Sequence, residues 1–491
     1  MTPAFQAAIS AYNERRWEDA IHRASDALKL EPNNLDALEV FGLAWFRLGQ
    51  LGNAIEALEF CQQQDGRNAR YACNLGELYR AAGQMDKCVA MLSIAAQLDP
   101  QSIAVLESSG LALVDTGDLT SADAALTKVA QLHSDRALAQ FNLGEVRRLA
   151  GRFEDAISCY EEALRLDPGL LQAQHQRALS LLAHGDYAHG WDAFEHRLDP
   201  RLSKQVSAAE PRWQGVFEQG QRVFVYSDQG LGDAILFARY LPHLAEQGVN
   251  LLVAVPPPLL GLFRAAMPGI EFIALGDARP ACDWQIALGS LPGLYQTRAG
   301  HVPNVTPYLK ARPEKIAAWR NTLARSSGTI KIGITWAGNS ATTGVKYRNC
   351  PVEQFATVFR DIPSLTLVNL QMGAADELNT LRDVADVVDL TGEIADFEDT
   401  AAVLASLDMV ISVDTALLNL AGAVHVPAWG LLALAPEWRW HGPDRRSRWY
   451  PSVIRYTQTR FLDWGAPLSI MRSTLLSHIN AAVVPALNGR Q

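Results

Sequence analysis

Two glycine ladders organise the first 200 residues. Gly42, Gly76, Gly110 and Gly144 stand 34 residues apart, and Gly49, Gly83, Gly117, Gly151 and Gly185 keep the same period. Ala20, Ala54, Ala122 and Ala156 fall in phase, with Cys88 in the missing slot, and Pro32, Pro100 and Pro168 close three of the units. A fixed period of this length marks a stacked array, in which each unit buries its apolar face on its neighbours. Small residues at fixed offsets let two antiparallel helices approach closely, and a proline ends the second helix of a unit. Six units fit in phase from residue 1 to about 204, the first and last degraded, as expected where a terminal unit meets water.

The period and its Leu-Gly, Gly, Ala and Pro offsets resemble tetratricopeptide repeats. The fullest unit is Phe141-Asn-Leu-Gly144, Gly151-Arg-Phe-Glu-Asp-Ala156, Tyr160, Ala163 and Asp167-Pro168. Such a stack has a concave surface that suits a peptide or protein segment; its alternative use is as a scaffold for dimerisation or for packing against the rest of the chain. The last unit carries His175, His184, His189 and His196, no two at the i, i+4 spacing of a metal pair on one helix face. They read as solvated or capping side chains.

The pattern changes after Pro200. A polar connection, 201–220, leads to the apolar run Arg222–Tyr226, which reads as a strand, then Gly230-Leu-Gly-Asp233 and a helix over 234–247. Strands over 251–255, 270–275 and 283–288 follow, with a helix over 258–267. A second connection spans 310–328. The alternation restarts with strands over 329–336, 364–371, 387–390, 409–413 and 427–433, helices over 351–360, 376–384 and 397–407, and a closing helix over 468–487. Strands alternating with helices predict parallel sheets. The expected architecture is therefore α + α/β: a solenoid over 1–204, one α/β half over 205–325 and a second over 326–491. A ligand is expected in the cleft between the halves.

The formal net charge of −10 over 491 residues argues against broad nucleic-acid binding, which needs a basic surface. The N-terminus lacks the basic and apolar regions of a signal peptide, and no apolar run reaches the roughly 18 residues of a membrane span. Six cysteines without C-x-x-C spacing read as free thiols in a reducing compartment. A cytoplasmic protein is expected.

Four segments could carry chemistry. In 409–423 a buried strand runs into Asp414-Thr415, two good N-cap residues, and a short helix; the free N–H groups of such a start suit a phosphate or pyrophosphate. In Gly230-Leu-Gly-Asp233 the glycines permit a tight turn and close backbone approach, and Asp233 reads either as a helix cap or as a general base at the mouth of the first strand. Trp336-Ala-Gly-Asn339 and the loop carrying Lys346 and Arg348 suit a diphosphate or form a solvated surface. Trp438-Arg439-Trp440, within a run rich in tryptophan and arginine, either stacks on a base or sugar or plugs the gap to the closing helix. No Asp-x-Asp triplet is present to hold a cation on a diphosphate, which favours neutralisation by helix dipole and Lys/Arg.

Residues 222–460 resemble glycosyltransferase family 9, the heptosyltransferase group of GT-B fold, and especially its bacterial relatives fused behind tetratricopeptide repeats. The matching pieces are Gln229-Gly-Leu-Gly-Asp233, Phe237-Ala-Arg-Tyr-Leu-Pro242, Trp336-Ala-Gly-Asn339, 408–415, Leu420-Ala-Gly-Ala423 and Trp438-Arg-Trp440. The resemblance implies two Rossmann-like domains and an inverting, metal-independent transfer with no cofactor beyond the nucleotide-sugar substrate. It implies Asp233 as base, with the donor held by Gly232, Trp336, Asn339, Lys346, Arg348, Asp414, Thr415, Asn419, Trp438 and Arg439. Some repeat-fused relatives glycosylate proteins, flagellin among them, so the implied partner is an acceptor protein in the repeat groove. A lipopolysaccharide or other glycan transferase and a non-catalytic adaptor are the alternatives. One departure stands out: Asn419 occupies a position where relatives usually carry His, and Asn cannot become a cation near neutral pH.

Overall fold

The computed structural model describes residues 2–201, 210–216, 218–324, 326, 330–338, 347–362, 365–442 and 444–488, with side chains described as far as Ile479. The chain forms two compact units, Met1–Arg147 with Glu162–Pro168, and Arg148–Glu161 with Gly169–Gln491. The repeat pattern ends near 204, yet the compact units divide inside it: residues 148–161 and 169–198 belong to the α/β unit.

The first unit is a stack of antiparallel helix pairs, Pro3–Asn13 with Trp17–Leu30, Leu35–Arg47 with Leu51–Gln64, Ala69–Ala81 with Met85–Leu98, and Ile103–Asp115 with Leu119–Leu132. The two glycine ladders do different work. A Cβ at Gly42, Gly76 or Gly110 would lie 2.5 to 2.8 Å from the side chain of Leu58, Leu92 or Leu126, so these glycines are where paired helices touch. Gly49, Gly83 and Gly117 have positive φ and turn the chain between the helices of a pair. Ala20, Ala54, Cys88 and Ala122 are fully buried between helices. A third ladder, Asn34, Asn68 and Ser102, keeps the same period; each side chain accepts from a backbone N–H in the first turn of the next helix.

The second unit takes in residues 148–161 and helices Leu171–His184 and Tyr187–Phe194, and continues into two parallel sheets. The strands are β1 (Arg222–Tyr226), β2 (Asn250–Val255), β3 (Glu271–Ala274), β4 (Trp284–Ala287), β5 (Ile330–Thr335), β6 (Leu365–Asn369), β7 (Asp386–Asp389), β8 (Met409–Val413), β9 (Ala428–Leu432) and β10 (Val453–Thr457). The first sheet has the order β3-β2-β1-β4 and the second β10-β9-β8-β5-β6-β7, every pairing parallel. In both, the chain winds outward in one direction and then returns to the other side of its starting strand. The order therefore reverses between β1 and β4, and between β5 and β8. Ligands of such sheets bind outside the carboxyl ends of the strands at these reversals.

Three local expectations are corrected. The segment expected as a connection over 310–328 contains helix Pro313–Leu323, with proline in its first turn and Trp319 and Leu323 buried. β10 lies in a region expected to be loop; as an edge strand it is only half buried and has no continuous apolar run. The helix expected over 234–247 is three pieces, Leu231–Phe237, a 3₁₀ turn Ala238–Tyr240 and Leu241–Glu246, with Pro242 opening the last. Among the described residues no helix is long and apolar enough to cross a membrane.

Candidate functional site

The segments after β1 and β8, together with Arg348 between β5 and β6, converge with residues 436–441, which follow β9. Asp233 is the third residue of helix Leu231–Phe237, whose N-cap is Gly230, so it caps nothing. Its Oδ1 instead accepts from Arg439 Nη2 at 2.6 Å. Asp233 retains 22% side-chain exposure, while Arg439 has 8%. One ion pair thus joins the reversal point of the first sheet to a loop of the second.

Asp414 follows β8 directly and is shut in, with 6% side-chain exposure. Trp440 Nε1 donates to its Oδ1 at 2.8 Å, and Arg348 Nη1 lies 3.4 Å from Oδ2. Arg348 also reaches Glu437 at 3.3 Å. Burial pushes the Asp414 carboxyl above the ordinary aspartate value, against the pull of Arg348. Burial acts the same way on Glu437, but Arg439, Arg348, Arg148 and His175 outweigh it and hold that carboxylate below its ordinary value. Burial opposes the charge of Arg439 as well; Asp233, Glu437 and Asp414 more than offset it, and the guanidinium is held more firmly protonated than usual.

Thr415 is the N-cap of helix Ala416–Ala423 in an extended conformation, but its side chain does not cap the helix. Its Oγ1 pairs with Ser412 Oγ at 3.0 Å. The helix start is thus not capped by its own threonine, which suits an anion. Gly232 sits against this start: a Cβ there would lie 3.1 Å from Asn419 Nδ2 and 3.5 Å from Ala416 Cα.

Other expected ligand side chains are internal. Asn419 is 2% exposed; its Nδ2 donates to Thr415 O at 3.0 Å and its Oδ1 accepts from Tyr450 OH at 3.2 Å. Its amide is engaged at both ends, and it ties the helix start to Tyr450. Trp336 is 1% exposed, and its indole N–H donates to Glu377. The Trp438 ring packs against Trp191 (centroids 5.2 Å), Trp449 (5.3 Å) and Phe237 (6.2 Å). The rings of Trp438, Trp440 and Trp449 are buried and so do not serve as a stacking platform; they pack on Trp191, Phe237, Tyr187 and Tyr450, where the plug expectation named the closing helix. Asn339 and Lys346 lie outside the described residues.

Glu437 was not singled out by the sequence, nor Tyr450 as a partner of Asn419. A signal for the first existed. Over 437–440 charged and aromatic residues alternate, so that Glu437 and Arg439 meet the polar cluster while Trp438 and Trp440 enter the core. His175, expected to be solvated or capping, contributes to the field at Glu437.

Comparison with known proteins agrees with the repeats and reaches beyond them. The tetratricopeptide repeat family matches residues 5–65 and 108–170. Protein FlbA of Caulobacter vibrioides is 30% identical over 437 residues, covering 82% of this chain and 71% of FlbA. Human superkiller complex protein 3 is 28% identical over 90 residues, 18% of this chain and 6% of that protein. Among solved structures, a thermophilic tetratricopeptide protein of Thermus thermophilus covers 36% of this chain and 97% of its own, at 23% identity and a TM-score of 0.34. An alignment of 437 residues cannot be contained in the repeats, so the likeness to FlbA extends into the α/β unit. The chain belongs to the family of FlbA, with tetratricopeptide repeats ahead of a region of parallel sheets.

Proposed function

We propose that the α/β unit is a GT-B glycosyltransferase that moves a sugar from a nucleotide-sugar donor to a Ser or Thr hydroxyl of a protein acceptor, and that the repeats recruit this acceptor. The observation that carries the reading is the Asp233–Arg439 pair. It brings a partly exposed carboxylate from the first sheet beside the cations and the uncapped helix start of the second.

In this reading the acceptor Oγ attacks the anomeric carbon as the bond from that carbon to the donor phosphate breaks. The hydroxyl proton passes to Asp233, and the electron pair leaves on the phosphate oxygen. Arg348 and the first turn of helix Ala416–Ala423 would stabilise the departing phosphate, with no divalent cation required. Direct displacement inverts the anomeric configuration. Lys346 would add a further cation. Flagellin is the acceptor suggested by the family resemblance.

The test is transfer to a co-expressed acceptor, followed by intact mass. Wild type should add one or more sugars. Asp233→Asn should add none while retaining nucleotide binding in calorimetry. Undiminished transfer by the variant would remove Asp233 from the chemistry.

A second reading, a non-catalytic adaptor, draws support from the internal roles of Trp336, Trp438 and Asn419. It requires that no nucleotide shift the melting temperature in a panel of UDP, GDP, ADP, dTDP and CMP. A shift with any of them would exclude it in favour of the transferase.

A further inference from the structure

We propose that Arg439 couples donor binding to the base: it holds Asp233 until the diphosphate of the donor takes it over, and only then is Asp233 free to accept the acceptor's proton. The inference rests on the nucleotide-sugar reading above and adds to it an order of events at the same site.

Asp233 Oδ1 accepts from Arg439 Nη2 at 2.6 Å, and among the described residues no other side chain hydrogen-bonds Asp233. A carboxylate in such a charge-assisted bond is a weak base, because the guanidinium stabilises its ionised form and occupies an oxygen that a proton would take. The general-base role therefore requires the pair to part. The turn Trp438–Trp440 that carries Arg439 is anchored on both sides of it. The Trp438 ring packs on Trp191 with centroids 5.2 Å apart, and Trp440 Nε1 donates to Asp414 Oδ1 at 2.8 Å. The backbone is thus held, and the exchange is a swing of the arginine side chain.

Arg439 has donors to spare for a second partner. Its side chain is 8% exposed, and while Nη2 serves Asp233, Nε is buried and has no hydrogen-bond partner among the described residues. A buried donor lacking an acceptor is uncommon and points to a group that arrives with a ligand. The guanidinium fork bonds phosphate oxygens in pairs, which the single Asp233 oxygen does not match. The place for that phosphate is close by. Helix Leu231–Phe237 packs on helix Ala416–Ala423, and a Cβ at Gly232, next to Asp233 in the chain, would lie 3.5 Å from Ala416 Cα. An anion at the start of helix Ala416–Ala423 and the Asp233 carboxylate thus compete for one cation.

The experiment is calorimetry on the full chain with UDP, GDP, ADP and dTDP as probes. For whichever diphosphate binds wild type, Asp233→Asn should tighten binding about threefold or more, because the asparagine no longer claims Arg439. In an Arg439→Gln background the same change at Asp233 should leave the affinity unaltered. A gain that persists there would be relief of charge repulsion alone and would overturn the inference. Should Arg439→Gln fail to fold or to bind, salt decides with wild type and Asp233→Asn. Competition for a buried guanidinium resists screening, so the gain should hold from about 50 mM to about 500 mM NaCl, and its disappearance at the higher salt would overturn the inference. Equal or weaker binding by Asp233→Asn would overturn it too and leave the transferase reading standing. Failure of every probe to bind wild type would remove the transferase reading, and this inference with it.

Discussion

The two sheets place an aspartate at the same kind of position, just beyond a central strand where the strand order reverses, and treat it in opposite ways. Asp233 keeps 22% of its side chain exposed and engages Arg439 through one oxygen. Asp414 keeps 6%, and Trp440 and Arg348 approach its two oxygens separately. The first arrangement leaves a carboxylate that a substrate can reach; the second makes a carboxylate the anchor of a loop. Place in a fold therefore sets which residues meet, and the neighbours that arrive from other loops decide which of them can do chemistry.

The sharpest way to break this contrast is to remove the two carboxylates in turn. Asp233→Asn should lower transfer by about a hundredfold or more, the range expected for a general base. Asp414→Ala should act on the fold first. It leaves the buried Trp440 N–H without an acceptor, at a cost of about 1–3 kcal/mol in urea unfolding. Should Asp414→Ala unfold like wild type while Asp233→Asn loses stability instead, the assignment of roles would be reversed.

A smaller effect tests how closely the two helix starts approach. Gly232→Ala would place a methyl 3.1 Å from Asn419 Nδ2. Overpacking costs typically about 1–3 kcal/mol, and the helix preference of alanine over glycine returns about 0.5–1 kcal/mol. A net loss of about 1 kcal/mol is expected from urea midpoints. A net gain would mean that Asn419 gives way and that the approach is loose.

The same contrast explains what could be read in the sequence. The repeat ladder was legible because its causes are local and recur: the Leu92 that touches Gly76 lies one helix away, and Leu126 stands in the same relation to Gly110. The pairing of β5 with β8 puts Arg348 beside Asp414; in the sequence only the family resemblance grouped the two. The burial of Trp438 was not legible, because Trp191, Phe237 and Trp449, which enclose it, come from three separate stretches of chain. Asn419 is similar. Its sequence context suggested a ligand contact or a loss of function, whereas its amide is a fitted link between Thr415 and Tyr450. β10 escaped because an edge strand needs only one buried face.

The last prediction separates charge from hydrogen bonding at Asp414. Burial raises its pKa in the folded chain above the ordinary aspartate value of 3.8. The folded protein therefore holds that proton more tightly than the unfolded chain does. The stability this contributes is fully present below the unfolded pKa and is lost as pH rises through the folded one. Asp414→Asn keeps an acceptor for Trp440 and has no proton to lose. With urea midpoints followed from about pH 4 to about pH 8, the variant should gain on wild type as pH rises. Glu437 slopes the other way, because its lowered pKa gives stability that is lost on acidification; its charge is also one of the causes that raise Asp414, so the difference between the two proteins reports the pair, with Asp414 setting its sign. A difference that stays flat across the range would mean that Asp414 titrates as a surface aspartate does, and that exposure alone distinguishes it from Asp233.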